Sequence, residues 1–309
     1  MSVQTTGALV ANTPGTGRVG SARRPARPGP NKRTGPNSRP GIVAPILLTL
    51  LAIFALGPIV LFFFSALKTQ SELAANPLGF PETWQWGNFF TAWQQANMGA
   101  GIANSAVIVG GTIISVCFIA GCAAYALARL DIRGGSSFIT YLLVTSALPT
   151  QMFLVPLFYI WSVLGLYDTR VGLVLIYTAL FSPFATLLLR AFLLTLPKEF
   201  EEAARMDGAS EMKVLFRIVL PNALPGLLTV ALVTGLSAYN EFLFAVTFIQ
   251  NTDLLPVSTT LFTFQQGYTQ DYTLISAAGI IMIAPMLILF LVLQRRFIDG
   301  LSSSGLGGA

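Results

Sequence analysis

Residues 197–221 read PKEFEEAARMDGASEMKVLFRIVLP, a charged stretch with a turn at its middle, set between two long apolar runs at 171–196 and 224–249. Each half carries the marks of a short helix. Pro197 suits a first helical turn, and Glu199, Glu201 and Glu202 place negative charge where a helix N-terminus favours it. Asp207 and Gly208 supply the turn, because glycine enters the left-handed conformation that ends a helix without steric penalty. Ser210 is placed to cap a second helix, whose apolar residues Met212, Leu215, Phe216 and Val219 recur at i, i+3, i+4 and i+7. The stretch predicts a helix-turn-helix lying against a membrane face. Pro221 and Pro225 then break it from the next span and give a defined joint.

Working outward, the chain of 309 residues is 54% hydrophobic and only 10% charged, with a mean hydropathy of +0.69. Those values exclude an ordinary soluble domain. A bilayer core of roughly 30 Å needs roughly 20 helical residues. Six stretches are long enough, at 42–67, 102–128, 138–163, 171–196, 224–249 and 273–293. The predicted class is an all-α integral membrane protein of six transmembrane helices with a cytoplasmic helix-turn-helix. It divides into a basic tail (1–41), a six-helix transmembrane domain (42–296) and a short C-terminal tail (297–309).

Orientation comes from Lys and Arg, which are retained on the cytoplasmic side. Sixteen of the eighteen basic residues fall in the N-terminal tail, after the second span, in or beside the 197–221 loop, or after the sixth span; only Lys68 and Arg170 lie opposite. Both termini and the loop are therefore expected on the cytoplasmic side. The N-terminal 41 residues hold six prolines, seven glycines and seven basic residues without an acid, a composition that cannot bury enough apolar surface to fold alone. Their charge serves orientation, with attraction to anionic lipid as the alternative. A formal GxGxxG at Gly15, Gly17 and Gly20 has neither a strand before it nor a helix after it, and so does not read as a dinucleotide site. Cys117 and Cys122 are five apart on one span, off a common face, and read as packing residues. The small residues Ala120, Gly121, Ala123 and Ala124 beside them mark a closely packed helix.

The chain has no histidine, no cysteine cluster and no GxxxxGK[ST] loop, so it lacks the groups for metal catalysis and for holding a nucleotide itself. The pattern Glu202-Ala203-Ala204, Gly208, Ile218, Leu220-Pro221, with Asp207 before the glycine, resembles the cytoplasmic loop of the permeases of binding-protein-dependent ABC importers. The resemblance runs from Pro58 to Gly300 and is nearest to the second permease of maltose-type, carbohydrate-importing systems. Lys68, Glu72, Pro77, Phe80, Pro81, Asn88 and Phe89 carry it in the outer loop, and Asn104 and Ser105 at the second span. Pro149, Pro156, Gly165, Leu166, Asp168 and Thr169 carry it around the third span. Asn240, Glu241 and Phe242 do so in the fifth, and Gln294, Arg295, Phe297, Gly300 and Leu301 at the end. Tyr239 stands where the family often has Trp, and 303–309 lacks the family's lysine.

The resemblance implies a non-enzymatic subunit in a bacterial or archaeal plasma membrane, forming half of a translocation pore. It implies as partners a second permease, two ATPase subunits and an extracytoplasmic solute-binding protein, with membrane lipid around the complex and no nucleic acid. ATP and magnesium would sit on the ATPase, no cofactor on this chain. Tyr239, Asn240 and Glu241 are candidate pathway residues. Glu241, an acid well inside an apolar run, is expected to face the bundle interior or a wet cavity, as a gate or as a hydrogen-bond partner to another span. Trp84, Trp86, Phe89, Phe90 and Trp93 read as headgroup-level anchors, with sugar stacking as the alternative. Asp253, Gln265, Gln266 and Asp271 offer polar contacts to an external partner. An ion-coupled secondary carrier is the rival reading; such carriers use several intramembrane acids or internal repeats, and this chain shows one acid and no clear repeat.

Overall fold

The computed structural model describes residues 43–265 and 270–305, the stretch 292–305 as backbone. The basic tail 1–41, Gln266 and the final residues 306–309 lie outside the described residues, as do the side chains of Gln265, Gln294, Arg295, Phe297 and Leu301. All regular structure among the described residues is helical. The chain divides into two compact units, Met1–Ala52 and Ile53–Ala309. Of the first, residues 43–52 are described, and they form the opening turns of α1 (Val43–Ala66). The rest of the fold belongs to the second.

In chain order come α2 (Gln70–Ala75), α3 (Gly87–Gln95), α4 (Met98–Arg129), α5 (Gly135–Ala147), α6 (Leu154–Leu164) and α7 (Arg170–Leu193). After these lie α8 (Glu199–Met206), α9 (Glu211–Val214), a π-helical turn (Leu215–Val219) and α10 (Leu220–Asn222). The last elements are α11 (Leu224–Asn240), α12 (Leu243–Phe248), α13 (Val257–Thr260) and α14 (Tyr272–Gly305). Four segments, α1, α4, α7 and Tyr272–Leu291 of α14, are long and apolar enough to cross a membrane. Two bent pairs bring the number to six if each counts as one span: Gly135–Ala147 with Thr150–Leu164, bent by 92°, and Glu211–Asn222 with Leu224–Asn240, bent by 77°.

The first bend corrects the expectation of one continuous helix over 138–163. Pro149 has no N–H to donate and its ring drives the preceding residue out of the α region. Leu148 accordingly has φ −72° and ψ 140°, and Pro149 φ −63° and ψ 112°. The second bend falls at the expected joint, with Pro221 in the first turn of α10 and Pro225 in that of α11.

The centre of the second unit is α4 against α7, with α11 packed on both. Small residues permit the approach. A Cβ on residue 111 would meet Val174 at 3.2 Å, and one on residue 235 would meet Ile113 at 3.0 Å. Cys117 and Cys122 are free thiols packed against this core. At the opposite end from the 197–222 loop, buried polar groups fasten the connections. Asn104 Nδ2 donates to the carbonyls of Asp253 (2.8 Å) and Leu255 (3.0 Å), and the Val257 N–H donates to Ser105 Oγ at 2.9 Å. Asp168, in a left-handed conformation at φ 57°, accepts the N–H groups of Gln250 and Asn251 at 2.8 and 2.9 Å. The wholly buried Lys68 donates through Nζ to the Asn76 carbonyl at 2.7 Å and so folds the outer loop back on itself. On that loop Trp84 and Trp86 stack with ring centroids 6.1 Å apart, and both are more than half exposed.

Candidate functional site

The 197–222 stretch is a helix, a turn and a second, irregular helix. α8 begins with Glu199, Glu201 and Glu202 in its first turn. It ends as the sequence indicates. The Gly208 N–H donates to the Arg205 carbonyl and the Ala209 N–H to the Ala204 carbonyl, both at 3.0 Å, and Gly208 sits at φ +79°. This pair of bonds, one nested inside the other, is a Schellman motif and satisfies carbonyls that the helix end would orphan.

The second half differs from its sequence reading. Ser210 stands at the N-cap with extended dihedrals, φ −70° and ψ 154°, but its hydroxyl makes no capping bond. Its carbonyl accepts the Val214 N–H at 3.0 Å instead. A π-helical turn over Leu215–Val219 adds a residue to the turn and shifts the angular position of α10. Val214, Leu215 and Val219 are consequently the buried residues, while Met212 and Phe216 from the expected apolar face are exposed.

The sequence-marked residues fall into two groups. Glu202, Ala203, Asp207, Gly208 and Pro221 are exposed. Ala204, Ile218 and Leu220 are half-buried, with Ala204 and Leu220 packed against the core formed by Ala120, Ala124, Leu189 and Leu193. Around the exposed group lie further apolar side chains: Met206 is 88% exposed, Phe200 67% and Met212 61%. A small solvent-open cleft of about 100 Å³ runs between the two halves, walled by Phe200, Glu201, Ile218 and Asn222. The arrangement leaves helix N-terminal acids and apolar side chains exposed while its inner surface is part of the bundle core.

Sequence reasoning missed what holds this element down. It singled out Glu202, yet the neighbouring Glu201 is the buried one, 3% exposed, and pairs with Arg129 at 2.8 Å between Oε1 and Nε. Arg205 donates through Nε to Glu211 Oε1 at 2.8 Å and through Nη2 to the Tyr125 hydroxyl at 3.1 Å. These contacts act on charge. The bond from Arg205, with a second from Tyr125, holds the Glu211 carboxyl below the usual range, and Glu211 in turn raises the pKa of Arg205. The i,i+4 spacing of Glu201 and Arg205 was the available signal.

The second candidate cluster lies where α11 stops. Glu241 is extended, φ −67° and ψ 126°, rather than helical as a span over 224–249 would require. Its carboxylate caps α12: the Phe244 N–H donates to Oε1 at 3.0 Å, and the Ala245 N–H to Oε2 at 3.2 Å. The Tyr177 hydroxyl, buried on α7, donates to Oε2 at 2.7 Å. The carbonyl of Glu241 is met by Ser258 Oγ at 2.9 Å. The acid thus costs less than one isolated in an apolar helix, because its lone pairs are filled by fixed donors. Tyr239 is buried and donates to the Met282 carbonyl at 2.8 Å, tying α11 to α14. Asn240 beside it is exposed, its amide turned back to the Leu236 carbonyl at 2.9 Å. Among the described residues no cluster of His, Cys, Asp or Glu is placed to hold a metal ion.

Comparison with known proteins places this geometry. Residues 120–303 match the family described as binding-protein-dependent transport system inner membrane component. The chain is 34% identical to the probable ABC transporter permease protein YurM of Bacillus subtilis, over 85% of this chain and 87% of that protein. It is 32% identical to the diacetylchitobiose uptake system permease protein NgcG of Streptomyces coelicolor, over 83% and 85% respectively. The fold is shared with a chain of a bacterial ABC transporter involved in the import of the acidic polysaccharide alginate, with a TM-score of 0.72 at 24% identity, covering 83% of this chain and 96% of that one.

Proposed function

The chain belongs to the family of binding-protein-dependent transport system inner membrane components, and from that premise we propose that it is the pore-forming permease of an ATP-driven importer for a sugar or oligosaccharide. The observation that carries the reading is the 197–222 element. Its outer surface offers Glu202, Ala203, Asp207 and Gly208 together with exposed Phe200, Met206 and Met212, and its inner surface is continuous with the core of α4 and α7. A partner ATPase that grips such an element moves the helices to which it is joined. Hydrolysis, with its ATP and magnesium, belongs to that partner.

In this reading two ATPase subunits dock on the cytoplasmic face, a second permease completes the pore, and a solute-binding protein delivers substrate outside. The family description supports the dependence on a binding protein. The name of the diacetylchitobiose relative, with the resemblance to maltose-type permeases, supports a carbohydrate. Pathway residues are assigned to the break after α11, where Asn240 is exposed and Tyr239 and Glu241 fix its position. The distribution of Lys and Arg supports a cytoplasmic location for both termini.

The test is uptake of labelled oligosaccharides by proteoliposomes holding the assembled transporter and supplied with binding protein. Uptake is expected to require internal ATP and to survive a proton uncoupler. Uptake driven by a proton or sodium gradient without ATP would instead establish the secondary-carrier reading.

A further inference from the structure

The loop is joined by the chain to α7 and α11, but it is also fastened sideways to α4, which is not its neighbour in sequence. Arg129, the last residue of α4, lies with Nε 2.8 Å from Glu201 Oε1, and the two side chains are 1% and 4% exposed. Its Nη2 donates to the Leu196 carbonyl at 2.9 Å, at the point where the chain leaves α7. The other oxygen of Glu201 is 3.6 Å from Arg205 Nη2. Arg205 continues to Glu211 and to the Tyr125 hydroxyl, and Tyr125, one turn before Arg129, itself donates to Glu211 Oε2. Ion pairs and hydrogen bonds therefore run from α4 through α8 and α9 and back to α4, with the Glu201–Arg205 step a charge contact and not a hydrogen bond. Packing takes the same path. A Cβ on residue 121 would meet Leu220 at 3.4 Å, and the rings of Phe118 and Phe216 stack 6.4 Å apart.

Exposed ion pairs contribute little, but the Arg129–Glu201 pair is not exposed. A buried pair is weak as a stabiliser, because desolvation opposes the Coulomb attraction, and its best-attested use is to fix one arrangement of the parts that carry it. Arg129 Nη1 and Glu201 Oε2 are buried here without a hydrogen-bond partner, so the desolvation of the pair is only partly offset. We propose that Arg129, Glu201, Arg205, Glu211 and Tyr125 are positioning residues that make α4 a third member of the coupling unit. A displacement of the loop then reaches α4 directly, as well as through α7 and α11. The proposal rests on the reading of the loop as the ATPase-docking element.

The experiment uses the complete reconstituted transporter and reads the ratio of ATP hydrolysis with substrate-loaded binding protein to hydrolysis without it. Coupling between sites commonly amounts to roughly 5–150-fold, and Glu201→Gln or Arg129→Met is expected to lower the ratio by about tenfold while the ATPase still co-purifies. The double variant is expected to be no worse than the poorer single one, since both changes remove one contact. Tyr125→Phe, which removes only the hydroxyl of a buried ring, and Arg205→Gln, at a partly exposed side chain, spare the Arg129–Glu201 pair and keep the test open if the central variants fail to assemble; each is expected to lower the ratio by about threefold, less than typical full coupling. An unchanged ratio in both Tyr125→Phe and Arg205→Gln, or multiplied losses in the central double variant, would overturn the proposal. A variant in which the 197–221 loop is replaced by a flexible linker and whose ATPase still binds equally well would instead remove the reading beneath it.

Discussion

Gly208 isolates one physical variable. It sits at φ +79° between α8 and α9, and a Cβ added there would meet nothing within 4 Å. Substitution therefore changes the backbone preference of the turn without changing its packing. An ordinary L-residue in the left-handed region costs about 1–2 kcal/mol, Asn less because its short polar side chain tolerates that region, and a β-branched residue more. The two bonds at stake are those from Gly208 N–H to Arg205 and from Ala209 N–H to Ala204, both 3.0 Å. A penalty of about 1–2 kcal/mol lowers the population of the closed turn by a factor of roughly 5–30.

The series Gly208→Asn, Gly208→Ala and Gly208→Val should lose function in that order. Hydrogen exchange of the amides at 208 and 209 in the purified permease reads the turn, and co-purification of the ATPase reads its consequence. Exchange should accelerate least for Asn and most for Val, with ATPase capture falling in parallel and permease abundance unchanged. Two results refute the reasoning in different ways. If Val behaves as wild type, the left-handed turn is dispensable. If Asn, Ala and Val are equally defective, bulk at the docking surface and not the backbone is what matters.

Glu241→Ala removes the acceptor for Tyr177 and for two N–H groups of α12, and should lower stability by about 1–3 kcal/mol in thermal unfolding of the detergent-solubilised protein, with Glu241→Gln intermediate. Equal melting temperatures for all three proteins would show that the cap contributes nothing. Glu202→Lys reverses an exposed charge in the first turn of α8 and is expected to leave abundance intact while ATPase co-purification falls; normal capture would take Glu202 out of the docking surface. For topology, Lys198→Cys should resist an impermeant thiol reagent outside intact cells and Asp253→Cys should react, both positions being exposed. The opposite labelling would invert the orientation inferred from Lys and Arg.

Signals confined to a few neighbouring residues were legible in the sequence. The long apolar runs became α1, α4, α7 and α14, and the Asp207-Gly208 turn and the proline joint before α11 stand where local chemistry put them. The bend at Pro149 was equally local and was overridden by the apolar length of 138–163. Pro58, Pro183 and Pro285 remain inside helices, so proline alone does not decide the matter. What separates Pro149 is the extended Leu148 before it, together with a 3₁₀ turn, Thr150–Phe153, that carries the chain through 92°.

The site was less legible because its decisive contacts join residues far apart in the chain. Glu241 looks like a buried charge in a helix until Tyr177, 64 residues earlier, supplies the donor that lets its carboxylate end one helix and start another. Glu201 and Glu202 are indistinguishable by composition, and a step of one residue turns a helix by about 100°, so only one of them can face the bundle. Which one does is settled by Arg129, delivered by α4 rather than by the loop. Glu202 is left exposed, and under the proposed function it is the one that meets the ATPase. This division of labour makes a specific demand on single replacements. Glu201→Ala with Glu202 kept should damage the seating of the loop on α4. Glu202→Ala with Glu201 kept should leave the seating intact and weaken only the docking of the ATPase.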